Sequence, residues 1–169
     1  MRIAITGVPG TGKTTLAKIL SSRFGYDYID VAKIVREYRL GTSVDIDKLQ
    51  TILEQILRSR NNYVIESHLL AELDMDFDII IITRASYRAL LRRYARRRYG
   101  KKKIWENIAA ELLDYFPIKL ENKRFIQIDT TGLSIRELER KAIKYIQLGI
   151  SDDVDWSDDL FRLVIRGKI

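Results

Sequence analysis

A chain of 169 residues without a cysteine is sized for one domain burying roughly two-thirds of its unfolded surface, and it excludes disulfide staples and thiolate metal sites. The net charge of +7 points to polyanionic partners. A first motif at Gly7 leaves no room for a signal peptide, and the longest aliphatic run, Ile79–Ile82, is far short of a membrane span; a soluble, cytoplasmic protein without membrane contact is the expectation.

Taken in chain order, Arg2–Thr6 reads as a strand and Lys13–Phe24 as an amphipathic helix stopped by Gly25. Between them lies Gly7-Val8-Pro9-Gly10-Thr11-Gly12-Lys13-Thr14, which matches G-x-x-x-x-G-K-[ST] in the strand–loop–helix setting of a phosphate-binding loop. Its backbone N–H groups and the helix start favour phosphate oxygens, Lys13 should reach the terminal phosphates, and the Thr14 hydroxyl should coordinate Mg²⁺. Tyr26–Ile29 reads as a second strand, followed by a helix over Val31–Arg39 ended by Gly41. Asp45 is a candidate N-cap for a helix carrying Leu49, Ile52, Leu53 and Ile56.

Tyr63–Ile65 is a third strand, with Glu66-Ser67-His68 at its carboxyl end, and Phe77–Ile82 a fourth, covered on both faces. A helix should run from Ser86 through the arginine-rich stretch, and another through Ile104, Ile108, Leu112 and Tyr115 until Pro117 stops it. Arg124–Ile128 is the last strand, and Ser134 with Glu137 forms a capping box opening a helix that ends near Gly149. The tail from Ser151 to Ile169, with five aspartates between Asp152 and Asp159 and with Trp156, carries no clear structural pattern. Five strands alternating with helices, the first bearing the phosphate loop, specify an α/β P-loop fold: a five-stranded parallel sheet in a three-layer α/β/α sandwich. Ligands in such folds lie beyond the carboxyl ends of the strands, at the Gly7–Thr14 loop, at Glu66–His68 and after Ile128.

Glu66 is placed where an acid can hold the Mg²⁺ shell or orient an attacking group, with a capping or salt-bridging carboxylate as the alternative. His68, the sole histidine, would leave an extended strand on the same face as Glu66, where it could shuttle a proton, orient a water or be structural. From Arg92 to Lys103, eight of twelve residues are Arg or Lys. They read as a flap neutralising a transferring phosphoryl group, as an RNA-facing patch with Tyr94 and Tyr99 available to stack on bases, or as a solvated face. Arg36 and Arg39 could hold a phosphorylated acceptor across from the loop, or be surface residues beside Glu37.

Together these residues resemble the adenylate kinase isoenzyme 6 family, a branch of the nucleoside monophosphate kinases that also serve as ribosome-assembly ATPases. The loop G-V-P-G-T-G-K-T-T is similar to the family's G-T-P-G-x-G-K-T-T, and Glu66-Ser67-His68 to its acid-x-His motif. The run from Arg97 to Ile108, Arg97-Arg98-Tyr99-Gly100 onward, resembles the lid signature R-G-Y-x-x-K-K-[IL]-x-[DE]-N-I, with a matching acid at Glu111. Val154-Asp155-Trp156 is similar to the tail of archaeal members. The resemblance covers Met1 to about Trp156.

It implies that Gly10, Gly12, Lys13, Thr14 and Thr15 bind ATP phosphates, that Arg97 in a lid over about residues 96–106 contacts ATP, and that Arg93 lies at the lid's entrance. It implies a monophosphate-binding segment over about residues 30–43, with Asp30 and Arg36 on the acceptor, and a Mg²⁺ served by Thr14 and Glu66. Lys13, Glu66, His68 and Arg97 would carry catalysis in a core over residues 1–150, with residues 151–169 as an extension. Arg98 replaces the lid glycine, and Gly132 stands where some members have a nucleotide-binding lysine. The implied activity is reversible transfer of the ATP γ-phosphate to AMP or a related monophosphate, with ATP hydrolysis alongside. The implied partners are a small-subunit ribosomal protein and rRNA, during late small-subunit maturation.

Overall fold

In the computed structural model, which describes residues 1–96 and 99–169, five parallel strands are ordered β2-β3-β1-β4-β5. They are β1 (Arg2–Thr6), β2 (Asp27–Asp30), β3 (Tyr63–Glu66), β4 (Ile79–Arg84) and β5 (Phe125–Asp129). Alternation along each strand sorts side chains to the two faces. Ile3, Ile5, Val64, Ile81 and Ile126 pack with Leu16 and Leu20 of α1 (Lys13–Phe24) and with Leu138 and Ala142 of α7 (Ile135–Leu148). Ala4, Ile65, Ile80 and Ile82 pack on the other face with α3 (Ile46–Leu57), α4 (Tyr87–Tyr94) and α5 (Lys101–Leu112). The three-layer α/β/α sandwich read from the sequence is the fold.

The expected caps are in place. Asp45 accepts from the Lys48 N–H at 3.0 Å, and Ser134 and Glu137 cap each other's backbone at the start of α7. Elsewhere boundaries move, each for a visible reason. Strand β2 starts and ends one residue later than expected, and β4 runs Ile79–Arg84 rather than Phe77–Ile82. Thr83 and Arg84 looked too polar for a buried strand but are paired: Thr83 Oγ1 with Thr11 Oγ1 at 2.7 Å, and Arg84 with Glu111.

Helix α2 (Val31–Glu37) stops two residues short of Arg39, which takes a left-handed φ of 52° so that the Leu40 N–H closes on the Val35 carbonyl at 3.0 Å and Leu40 folds back onto the core. Helix α4 ends at Tyr94 instead of continuing through the arginines. Tyr94 is fixed beneath the phosphate loop, and Arg92, Arg93 and Arg96, three and four residues apart, would repel along a longer helix. Pro117 does not stop α5; the break is at Asp114, with φ 53°, and Pro117 sits in the first turn of α6 (Tyr115–Lys119), where its missing N–H has no helical partner.

The tail is structured. Ser151 and Asp152 continue beside β5: Asp152 N–H donates to the Gln127 carbonyl at 3.0 Å, and the Gln127 N–H donates to Ser151 Oγ at 2.8 Å. Helix α8 (Ser157–Ile165) then lays the buried Leu163 into the core cluster shared by α4 and α5. Full burial of a leucine contributes about 1.5–3 kcal/mol. No helix among the described residues is long and apolar enough to cross a membrane.

Candidate active site

The loop after β1, the carboxyl end of β3, helix α4 and the loop after β5 open into one cleft of about 1160 Å³. Its floor is the Gly7–Thr14 loop. Gly7 has φ 134°, and a Cβ there would stand 2.5 Å from the Thr83 carbonyl oxygen. Gly10, at φ 93°, has no room because the Tyr94 ring would lie 2.8 Å from its Cβ. Tyr94 is buried and donates its hydroxyl to the Pro9 carbonyl. It is therefore a brace for the loop and cannot stack on an RNA base, as the sequence had allowed. Tyr99 packs against it, with ring centroids 5.5 Å apart.

Lys13 lies folded along the loop, its Nζ donating to the carbonyls of Gly7 at 2.8 Å and Val8 at 3.0 Å. The next residue, Thr14, donates its hydroxyl to Glu66 Oε1 at 2.8 Å. Glu66 is buried at the end of β3 and also accepts from the Tyr28 hydroxyl at 3.3 Å. Burial first, then the Glu66 charge, pushes the Tyr28 hydroxyl far above the usual phenol range, so it remains a donor to that carboxylate. Thr15 also lines the cleft, beside Gly10 and Gly12.

His68 lines the same cleft. The strand ends at Glu66, and Ser67 accepts from the Leu69 N–H at 3.1 Å, starting a 3-10 turn at His68. Ser67 is still extended, with φ −172° and ψ 156°, and His68, two residues past Glu66, lines the same cleft and opens the turn that follows. Desolvation, then the positive charges of Lys13 and Lys103, hold its imidazole below the ordinary value, against a smaller opposing pull from Glu72. The neutral ring is thereby favoured near pH 7. Because His68 is the sole histidine, a proton NMR titration of the free protein reads it without ambiguity. Its midpoint is expected below about 6.5, and a midpoint at or above that value would contradict the assigned environment.

The fourth wall is basic. Arg92, Arg93, Arg96 and Lys103 line the cleft, so the arginine-rich stretch borders the loop and is not merely a solvated face. Arg93 donates to the Gly10 carbonyl at 2.9 Å, to Thr130 Oγ1 at 3.0 Å and to the Thr130 carbonyl at 2.9 Å. Thr130 in turn donates to the Thr11 carbonyl at 2.7 Å. Thr130 escaped attention in the sequence, although it lies at the strand end to which the carboxyl-edge rule points. Arg97 and Arg98 lie outside the described residues.

The expected acceptor residues are not in the cleft wall. Asp30 N-caps α2, accepting from the Lys33 N–H at 3.1 Å, and Arg36 is exposed; Ala32 is the residue of this segment that lines the cleft. The opposite wall carries Tyr115 and Phe116, with the Tyr115 hydroxyl bonded to Glu72. A glycine-rich loop at a helix start, a lysine, a threonine–carboxylate pair and a basic wall around one cleft can bind and neutralise a polyphosphate.

Comparison with known proteins agrees with that geometry. Residues 3–114 match the family model described as "AAA domain". A "Putative adenylate kinase" of Thermococcus onnurineus (strain NA1) is 34% identical over 97% of this chain and 96% of its own. A protein of the same description from Pyrococcus abyssi (strain GE5 / Orsay) is 38% identical over 94% and 92%. Shikimate kinase from Acinetobacter baumannii in complex with shikimate superposes with a TM-score of 0.65 over 87% of this chain and 93% of that one, at 19% identity, a likeness of fold. The chain belongs to the AAA-domain P-loop family and, within it, to the archaeal proteins described as "Putative adenylate kinase".

Proposed function

We propose that the protein is an ATP:AMP phosphotransferase, moving the γ-phosphate of ATP reversibly to AMP or a related nucleoside monophosphate. The observation that carries this reading is the Lys13–Thr14–Glu66 floor facing a wall of Arg92, Arg93, Arg96 and Lys103 across one cleft, in a chain with full-length relatives of that description. Phosphoryl transfer asks little covalent chemistry of a protein; it asks for in-line positioning and for charge on the equatorial oxygens. Gly10, Gly12, Thr14 and Thr15 would present N–H groups to the donor phosphates, and Lys13 would leave the Gly7 and Val8 carbonyls for the β- and γ-oxygens. Arg93, Arg96 and Arg97 would offset the charge that spreads in the transition state.

Magnesium enters such sites with the phosphates, using one or two protein oxygens. Thr14 Oγ1 and Glu66 Oε1, 2.8 Å apart, are a hard-oxygen pair of that kind, and they would hold the ion. When bound it would neutralise charge on the phosphate oxygens. Asp30 and Arg36 would meet the acceptor after an inward movement of the segment over residues 30–43. His68, neutral and beside Lys13, would orient water in the slower hydrolysis of ATP. The test is ADP formation across AMP, dAMP, CMP, GMP and UMP: acceptor-dependent turnover, fastest with AMP, is expected, and none with any of the five defeats the kinase reading.

A second reading makes the protein an ATPase in ribosome assembly, touching a small-subunit ribosomal protein and rRNA. The exposed Lys101, Lys102 and Lys103 on α5 favour it. The tail favours it less, because Trp156 and Leu163 are engaged inside the chain. ATP-dependent capture of a small-subunit ribosomal protein would support this role.

A further inference from the structure

The C-terminal segment reaches the phosphate loop through a continuous set of hydrogen bonds. Trp156 donates its indole N–H to Glu111 Oε1 at 3.2 Å. That same oxygen accepts from Arg84 Nε at 2.8 Å and from the Ala85 N–H at 3.1 Å. The Ala85 N–H and the Arg84 carbonyl belong to one planar peptide unit, so the two ends of that plane cannot turn independently. Its carbonyl end accepts from the Thr130 N–H at 2.9 Å, while the one hydroxyl proton of Thr130 goes to the nearer Thr11 carbonyl at 2.7 Å. Thr130 bonds the loop at the Thr11 carbonyl and also accepts from Arg93, which itself donates to the Gly10 carbonyl.

We propose that Trp156 is a positioning residue for nucleotide binding, fixing through Glu111 the Arg84–Ala85 peptide plane that carries Thr130, Arg93 and the phosphate loop. Three features separate this from simple packing. Glu111 and Arg84 are each about 1% exposed at their side chains, so no water replaces a lost donor. Three donors meet on a single carboxylate oxygen, so removing one lets the carboxylate shift toward the other two. One of those two is the peptide plane itself. The segment is also held on both sides of Trp156, by Asp152 beside β5 and by Leu163 in the core, which limits the positions the indole can take.

The proposal rests on the cleft binding ATP and is independent of which acceptor, if any, it serves. The test therefore reads binding of a fluorescent ATP analogue to the full chain, alongside thermal unfolding. Trp156→Phe keeps the ring and removes the N–H; it is expected to raise the analogue Kd about fivefold, the equivalent of about 1 kcal/mol, the usual net worth of one hydrogen bond. Leu163→Ala loosens the same helix without touching the bonded series. It is expected to lower the unfolding temperature more than Trp156→Phe does, with Kd within twofold of the parent. A Trp156→Phe Kd within twofold of the parent, or one that rises no more than that of Leu163→Ala, overturns the proposal. Failure of AMP to accept phosphate leaves this result intact and counts only against the kinase reading.

Discussion

Lys13→Ala is expected to lower kcat/KM for ATP by about a thousandfold while leaving the fold in place. Removing one preorganised charge donor from a transition state typically costs about a hundred- to a thousandfold, and the proposed role of Lys13 combines that with phosphate binding. In the free protein its ammonium group is held by two loop carbonyls, Gly7 and Val8, and the residue is only 8% exposed. Those bonds hold the group at the loop, and under the proposed function it would exchange the two carbonyls for phosphate oxygens. Losing them removes a brace from the loop, but Thr11 still bonds Val8 and Thr83, and Tyr94 still bonds Pro9. Circular dichroism of the variant should match the parent. A fall of less than tenfold in kcat/KM would mean that the loop binds its ligand without this lysine at the reacting phosphate.

Glu111→Ala is expected to be the most destabilising single substitution away from the loop, costing about 3–5 kcal/mol. The Arg84 guanidinium is buried beneath α5, bonded to Glu111, to the Glu111 carbonyl at 3.0 Å, to Asp114 at 2.5 Å and to Gln127. Burial pushes the Glu111 carboxyl up, and Arg84 opposes it. Deleting the carboxylate leaves the cation with one half-exposed acid and also unpairs the Ala85 N–H and the Trp156 indole. For a chain of this size the unfolding temperature should drop by about 6–20 °C. The surface pair Arg2–Asp78, with both side chains over 40% exposed, sets the contrast: Asp78→Ala should cost under about 1 kcal/mol. Similar losses in the two variants would contradict the weight given to the buried pair.

Those two residues mark how far the sequence was readable. Lys13 was legible because its motif is local: glycines that need unusual φ, a lysine and a threonine follow one another between a strand and a helix. Glu66 was legible for the same reason, as the last residue of an apolar strand. Glu111 stood out by resemblance, but its pairing with Arg84 did not, because that is a contact across 27 residues that no spacing rule encodes. A buried arginine also resembles the polar end of a strand, which is why β4 was read two residues early. Tyr94 looked like a base-stacking residue within a basic run, and only the approach of α4 to Gly10 shows it to be a brace. Helix α8 was missed because Trp156 gives it no side-chain cap; the acids Asp158 and Asp159 in its first turn were the available signal. Asp30 and Arg36, carried over by resemblance, stand outside the cleft wall: Asp30 caps α2 and Arg36 is exposed on that helix.

The central claim is that the cleft joins a donor to an acceptor rather than delivering phosphate to water. It is tested most directly by following the label from γ-³²P-ATP in the presence of AMP and magnesium. The label should appear in the β-phosphate of ADP, with inorganic phosphate a minor product at saturating AMP. Label recovered only as inorganic phosphate, at a rate indifferent to AMP, would contradict it.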